Sequence, residues 1–179
     1  PDNELELAMA AEEPEVSEDG LTYTFKIRED AVWSNGDPVT ADDFIYAWAR
    51  LATPETAAEY SYMIDGVVKN ASAILTGEME PSELGATAVD DKTLEVQLEK
   101  AVPYFKDLLT LPMLLPQNEA FVTEQGDKYA TNSDTVLYNG PFVLDEWDGT
   151  GLSWVLNKNE DYWDKDTVKL DKINVDVVK

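Results

Sequence analysis

Between Leu21 and Ile27 the chain alternates apolar and polar residues without a break, Leu-Thr-Tyr-Thr-Phe-Lys-Ile. Successive side chains of a strand point to opposite faces, so Leu21, Tyr23, Phe25 and Ile27 share one face and predict a half-buried strand. Ser34-Asn35-Gly36-Asp37-Pro38 then gathers turn formers, and Thr40-Ala41-Asp42-Asp43 has capping-box spacing, with Asp where Glu is preferred. A helix is expected to start there. Phe44, Ile45, Trp48 and Leu51 recur at three- and four-residue spacing as an apolar stripe, the acidic first turn suits the positive end of the helix dipole, and Pro54 ends the run.

The same mixture of short elements continues. Residues 57–76, rich in alanine, predict one or two short helices interrupted near Asp65-Gly66 and closed by Gly77. Residues 86–89, the turn Asp90-Asp91-Lys92 and residues 93–98 predict a hairpin with Leu94, Val96 and Leu98 on one side. Pro103 fits the first turn of a helix running through Phe105, Leu108 and Leu109 to a stop before Pro112, and residues 119–124 suit another short helix. The chain turns at Asn139-Gly140, Phe142, Leu144 and Glu146 alternate with Val143, Asp145 and Trp147, and Asp148-Gly149-Thr150-Gly151 suits a hairpin loop returning through residues 152–156. Residues 172–178 close the chain as a strand with Ile173, Val175 and Val177 on one face. Helices mixed with hairpins, without a regular strand-helix alternation, indicate an α+β fold.

Composition narrows the function. At 179 residues, 44% of them hydrophobic and 28% charged, the chain can bury a core and has the makeup of a globular protein. The 37 acidic against 13 basic residues, a formal charge of −24, repel phosphate backbones, so nucleic acid is not an expected partner. Solubility is the ordinary consequence of such charge, and a cationic ligand the alternative. Cysteine and histidine are both absent. Their absence removes disulfides, the commonest transition-metal ligands, and the Ser-His and Cys-His nucleophile pairs, so no metal, no cofactor and no catalytic residue is expected. No apolar run approaches the roughly 20 residues that span a bilayer. The start Pro1-Asp2-Asn3-Glu4 has no leader character, which suggests a trimmed or processed chain.

Candidate motifs mostly have structural readings. Gly149-Thr150-Gly151-Leu152-Ser153-Trp154 holds two glycines of a dinucleotide fingerprint, but Trp154 stands where the third belongs and a hairpin loop is the wrong context. Asn157-Lys158-Asn159-Glu160-Asp161 begins like a calcium loop, yet Tyr162 and Val168 occupy the positions that need Gly and Glu. Asp42/Asp43 and Asp90/Asp91 could serve as acid and base, but suit a helix cap and a turn better. Asn70-Ala71-Ser72 is a formal glycosylation sequon in a predicted helix. Trp48 lies on the apolar helix stripe and Trp154 on a strand, and both read as core. Tyr60 and Tyr62, in a short segment with acidic and small neighbours, are candidates to stack on or hydrogen-bond a ligand.

The run from Glu15 through Gly20-Leu21-Thr22-Tyr23-Thr24-Phe25 to Arg28, with Trp33-Ser34-Asn35-Gly36-Asp37-Pro38-Val39-Thr40-Ala41-Asp42-Asp43-Phe44, resembles the signature region of the family 5 extracellular solute-binding proteins. Val102-Pro103-Tyr104-Phe105, Tyr138-Asn139-Gly140-Pro141-Phe142 and Asn159-Glu160-Asp161-Tyr162-Trp163 extend the resemblance, with Glu160 where the family commonly has proline. Leu51-Ala52-Thr53-Pro54-Glu55-Thr56-Ala57 is similar to the oligopeptide-binding branch.

The resemblance implies an extracytoplasmic protein, in the periplasm or anchored as a lipoprotein at the bacterial cell surface, that captures oligopeptides for the permease of an ABC transporter. It implies a two-lobed periplasmic-binding-protein-like fold, of which this chain would be an interior fragment. Residues 1–116 would be the small domain, and residues 117–179 an adjoining segment of the first lobe, the boundary lying between about Pro116 and Gly140. It also implies Tyr60 as a peptide contact and Leu111 as an apolar pocket wall. The competing readings are a carboxylate-based glycan hydrolase with an aromatic groove, or a family 5 protein for a dipeptide, a nickel chelate or a sugar.

Overall fold

The computed structural model describes residues 4–178. Pro1 to Asn3, most of the stretch read for leader character, lie outside the described residues. The chain divides into two units, residues up to Glu29 with Thr40–Gln117, and Asp30–Val39 with the residues from Asn118 on. The sequence reading kept residues 30–39 with the first part of the chain. Their hydrogen bonds show why they belong to the second: Trp33 N–H donates to Asp37 O (2.8 Å) and Ser34 N–H to Tyr138 O (2.8 Å), while Tyr138 N–H returns to the Ser34 hydroxyl (3.1 Å). That pairing joins positions far apart in sequence, and no local pattern announces it.

In the first unit, strands β1 (Glu15–Val16), β2 (Thr22–Lys26), β3 (Ala86–Asp90) and β4 (Thr93–Gln97) form an antiparallel sheet in the order β1-β2-β4-β3. The alternation of β2 sets its register: Tyr23 lies opposite Val96 and Phe25 opposite Leu94, so like faces meet. Tyr23, Ile27, Leu94, Val96 and Leu98 are buried, and Phe25 packs partly buried against them. Helix α1 (Ala41–Ala52) contributes buried Trp48 and Leu51 to the same core. At its start Thr40 N–H donates to the Asp43 carboxylate (2.8 Å) and Ala41 N–H to Asp91 O (2.8 Å), which occupies two amides that a helix end leaves without intrahelical partners.

Two predicted helices shrink. Residues 57–76 yield only a 3₁₀ turn at Ser61–Met63 and α2 (Ala71–Leu75). Glu99 N–H donates to Val67 O and Lys69 N–H to Gln97 O, so the segment between them is drawn alongside the end of β4 instead of coiling. Gly77, at φ +73°, closes α2 as expected. Helix α3 covers only Phe105–Leu108, because Thr110 N–H already reaches Asp107 O in a tighter turn ahead of Pro112.

The second unit holds α4 (Glu119–Gln125) and an antiparallel sheet of β5 (Phe142–Asp145), β6 (Ser153–Lys158) and β7 (Lys172–Asp176), in that order. β5 stops where Glu146 takes φ +54°. The loop beyond is tied by Asp148 Oδ1, which accepts from Thr150 N–H, the Thr150 hydroxyl and Gly151 N–H at 2.9–3.0 Å. Gly149, at φ +88°, has no room for a side chain: a Cβ there would overlap Thr131 O. Trp154, read as core, is only half-buried on β6, and Val177, read on the apolar face of the last strand, is exposed beyond the end of β7. Buried Asn159 donates to Gly140 O (2.8 Å) through its amide and to Pro141 O (2.9 Å) through its backbone, so the residue that suggested a calcium ligand ties two segments of chain together.

Candidate functional site

Two phenols project from the first unit where the chain leaves α1. Pro54 opens a 3₁₀ turn ending at Thr56, Ala57 adopts a left-handed φ of +50°, and the second 3₁₀ turn, Ser61–Met63, follows. Met63 N–H donates to Tyr60 O (3.0 Å), and Ile64, 2% exposed, pins the turn to the core. The rings stay outside: Tyr60 is 49% and Tyr62 58% exposed, with centroids 6.1 Å apart and planes inclined by 42°. A pair held at its base and open at its rings can stack on an apolar or planar group while its hydroxyls exchange hydrogen bonds.

Leu111 sits elsewhere in the unit, half-buried after α3. Its N–H donates to Leu108 O (3.0 Å), and its carbonyl accepts from Leu114 N–H (3.0 Å). Leu114 O in turn accepts from Trp48 Nε1 (2.9 Å), so the backbone at Leu111 is braced against α1.

A cavity of about 410 Å³ lies in the same unit, lined chiefly by Leu5, Leu7, Phe44, Trp48, Leu109 and Leu115. The Glu13–Lys106 ion pair (2.9 Å) joins two further lining residues. Its size falls within the range of small-molecule pockets. The acidic lead-in through Glu18-Asp19-Gly20, which forms part of its wall, reads from sequence as a loosely ordered stretch with a turn at its end, so the cavity was missed. In the structure Ala11 N–H donates to Lys26 O (2.7 Å) and Arg28 Nε to Ala8 O (2.6 Å), fastening that segment beside β2. The alternation of Leu5, Leu7 and Met9 was the available signal.

Ionisation marks turns more than a reaction centre. Hydrogen bonds from the Ser17 hydroxyl and Leu21 N–H hold the Asp19 carboxyl below its ordinary value. The Thr93 hydroxyl and Lys92 N–H do the same for Asp90, and Thr150 and Gly151 for Asp148. A glycosidase's general acid needs the opposite shift. Burial, helped by Asp134 and Asp145, pushes the Tyr138 phenol up. The sequon is likewise engaged: Asn70 Nδ2 donates to Glu83 O (2.6 Å) and the Ser72 hydroxyl to Asp65.

The sequence profile of the bacterial extracellular solute-binding proteins, family 5 Middle, matches residues 4–179. The chain belongs to this family. Among its family 5 relatives, the oligopeptide-binding protein OppA of Bacillus subtilis is 44% identical over 175 residues, covering 97% of this chain and 31% of the relative. The dipeptide-binding protein DppE of the same organism is 45% identical over 172 residues, covering 96% of this chain and 31% of the relative. The family 5 fold is matched equally well: the peptide-bound structure of Listeria monocytogenes OppA superposes with a TM-score of 0.94 at 55% identity, covering 97% of this chain and 34% of that one. The chain thus spans about a third of the length of these family 5 proteins and has the fold of a portion of them.

Proposed function

We propose that this chain is part of the substrate-binding component of an ABC importer, a protein that captures oligopeptides outside the cytoplasm and hands them to a membrane permease. The observation that carries this reading is the TM-score of 0.94 to a peptide-bound OppA over nearly the whole chain. The exposed tyrosine pair supports it, because aromatic faces serve peptide recognition and leave bonds intact. Binding without catalysis agrees with a chain free of histidine and cysteine, in which the Asp19, Asp90 and Asp148 carboxyls are shifted away from what a general acid requires. Tyr60 and Tyr62 contact the peptide in this proposal and Leu111 contributes an apolar wall. Residues of the first unit form the small domain and those of the second the adjoining part of a lobe. Placement in the periplasm, or at the cell surface through a lipid anchor, belongs to the same proposal.

The test is calorimetric titration of the longer protein that carries this chain with a peptide library. Peptides should bind with measurable heat, and Tyr60→Ala should weaken binding by about 1–2 kcal/mol, the range of a buried aromatic contact. Turnover of a glycan with no heat from any peptide would overturn the reading. The 179-residue chain alone should show negligible peptide affinity, since one wall of a clamp leaves the ligand in water, and a micromolar Kd for it would contradict the division of labour proposed here.

A further inference from the structure

The chain contains two Asn-Gly steps, Asn35-Gly36 and Asn139-Gly140, both in the second unit. Asn-Gly is chemically labile because glycine has no side chain to hinder attack of its backbone nitrogen on the asparagine Cγ. A bond forms between the glycine nitrogen and Cγ, the Cγ–Nδ2 bond breaks, and the nitrogen's proton leaves with the amide group as ammonia. Water then opens the five-membered imide to aspartate or, through the other carbonyl, to isoaspartate. In sequence the two steps are equivalent. The fold makes them different.

At the first step both reacting groups are occupied. Gly36 N–H donates to Trp33 O (2.8 Å), Asn35 Nδ2 donates to the Asp37 carboxylate (2.7 Å), and Asn35 Oδ1 accepts from Asp37 N–H (3.1 Å). Attack by the Gly36 nitrogen and departure of Nδ2 require the first two of these bonds to break. At the second step, Asn139 Nδ2 is buried without a hydrogen-bond partner, and Gly140 N–H donates to no acceptor among the described residues. Departure of that amide group breaks no hydrogen bond to a described residue.

We infer that Asn139-Gly140 is the built-in deamidation site of this protein, and that the exposed Asn35-Gly36 turn is the protected one. The modification has a structural consequence. Isoaspartate inserts an extra backbone carbon immediately before Gly140 and Pro141, the two carbonyls on which buried Asn159 is anchored. Either product adds a negative charge next to Tyr138, where Asp134 and Asp145 already act on the phenol.

The experiment ages the folded longer protein that carries this chain at mildly alkaline pH and follows both sites by peptide mass mapping with an isoaspartate-specific enzymatic assay. Asn139 should convert several-fold faster than Asn35. Gly140→Ala should suppress conversion at 139: an added Cβ meets no atom and the backbone there is not left-handed, so the variant retains the fold while hindering attack. Asp37→Ala should accelerate conversion at 35 by removing the acceptor that holds Asn35 Nδ2. In denaturant the two sites should convert at similar rates, which isolates the contribution of the fold. Conversion of Asn35 as fast as or faster than Asn139 in the folded chain, or no conversion at 139, would overturn the inference.

Discussion

Trp48 is held by two separate interactions, and substitution can tell them apart. Its ring is 2% exposed in the core, and its indole nitrogen donates to Leu114 O at 2.9 Å. Trp48→Ala should cost about 3–5 kcal/mol, as large aromatic deletions do. Trp48→Phe keeps much of the apolar volume but leaves the Leu114 carbonyl unbonded, at about 1–3 kcal/mol. Urea denaturation of both variants checks the ordering, and equal losses would assign the whole effect to the hydrogen bond. The core role of Trp48 was legible in its spacing along α1, whereas its hydrogen-bond partner was not, since it lies 66 positions away. The tyrosines divide similarly. Local composition marked Tyr60 and Tyr62 as a pair worth attention, but their exposure depends on Ile64 being drawn into the core behind them.

At the scale of elements, β2, the β3–β4 hairpin and α1 follow their sequence patterns because each carries its instructions locally. Alternation decides a face, a turn decides a register, and a cap decides a start. The cap can be tested: Asp43→Ala removes the acceptor of Thr40 N–H and should lower stability by about 1 kcal/mol, measured by thermal melting. Asp42→Ala, on the exposed side of the same turn, should cost less. The alanine-rich segment and the Pro103 helix were over-read for the opposite reason. Helix propensity is a weak local bias, and backbone partners offered by the end of β4, or a proline arriving early, outweigh it.

For the whole molecule, charge and pH act together. The net charge of −24 strains the compact state by self-repulsion, so added salt should raise the melting temperature through screening. Asp19, Asp90 and Asp148 have lowered pKa values in the fold; the stability they confer is present above the ordinary carboxyl range and lost as pH falls through their folded values. Asp90→Asn should therefore make acid unfolding less steep. Tyr138 has the opposite sign: its raised pKa confers stability that is present below the ordinary tyrosine value and lost as pH rises toward the folded one. Tyr138→Phe should flatten the alkaline limb of a pH–stability profile while also losing the 3.0 Å hydrogen bond to Ser133 O. The sequence by itself determined the α+β mixture, the strand faces, the start of the first helix and the family, all of which reside in contiguous runs of residues. The tertiary structure alone decided that residues 30–39 join the later unit, that the lead-in fastens beside β2 to line a cavity, and that two chemically identical Asn-Gly steps stand in unlike surroundings. Each of these depends on hydrogen bonds or packing between segments distant in the chain, and the free energy of such contacts is written in no local window of sequence.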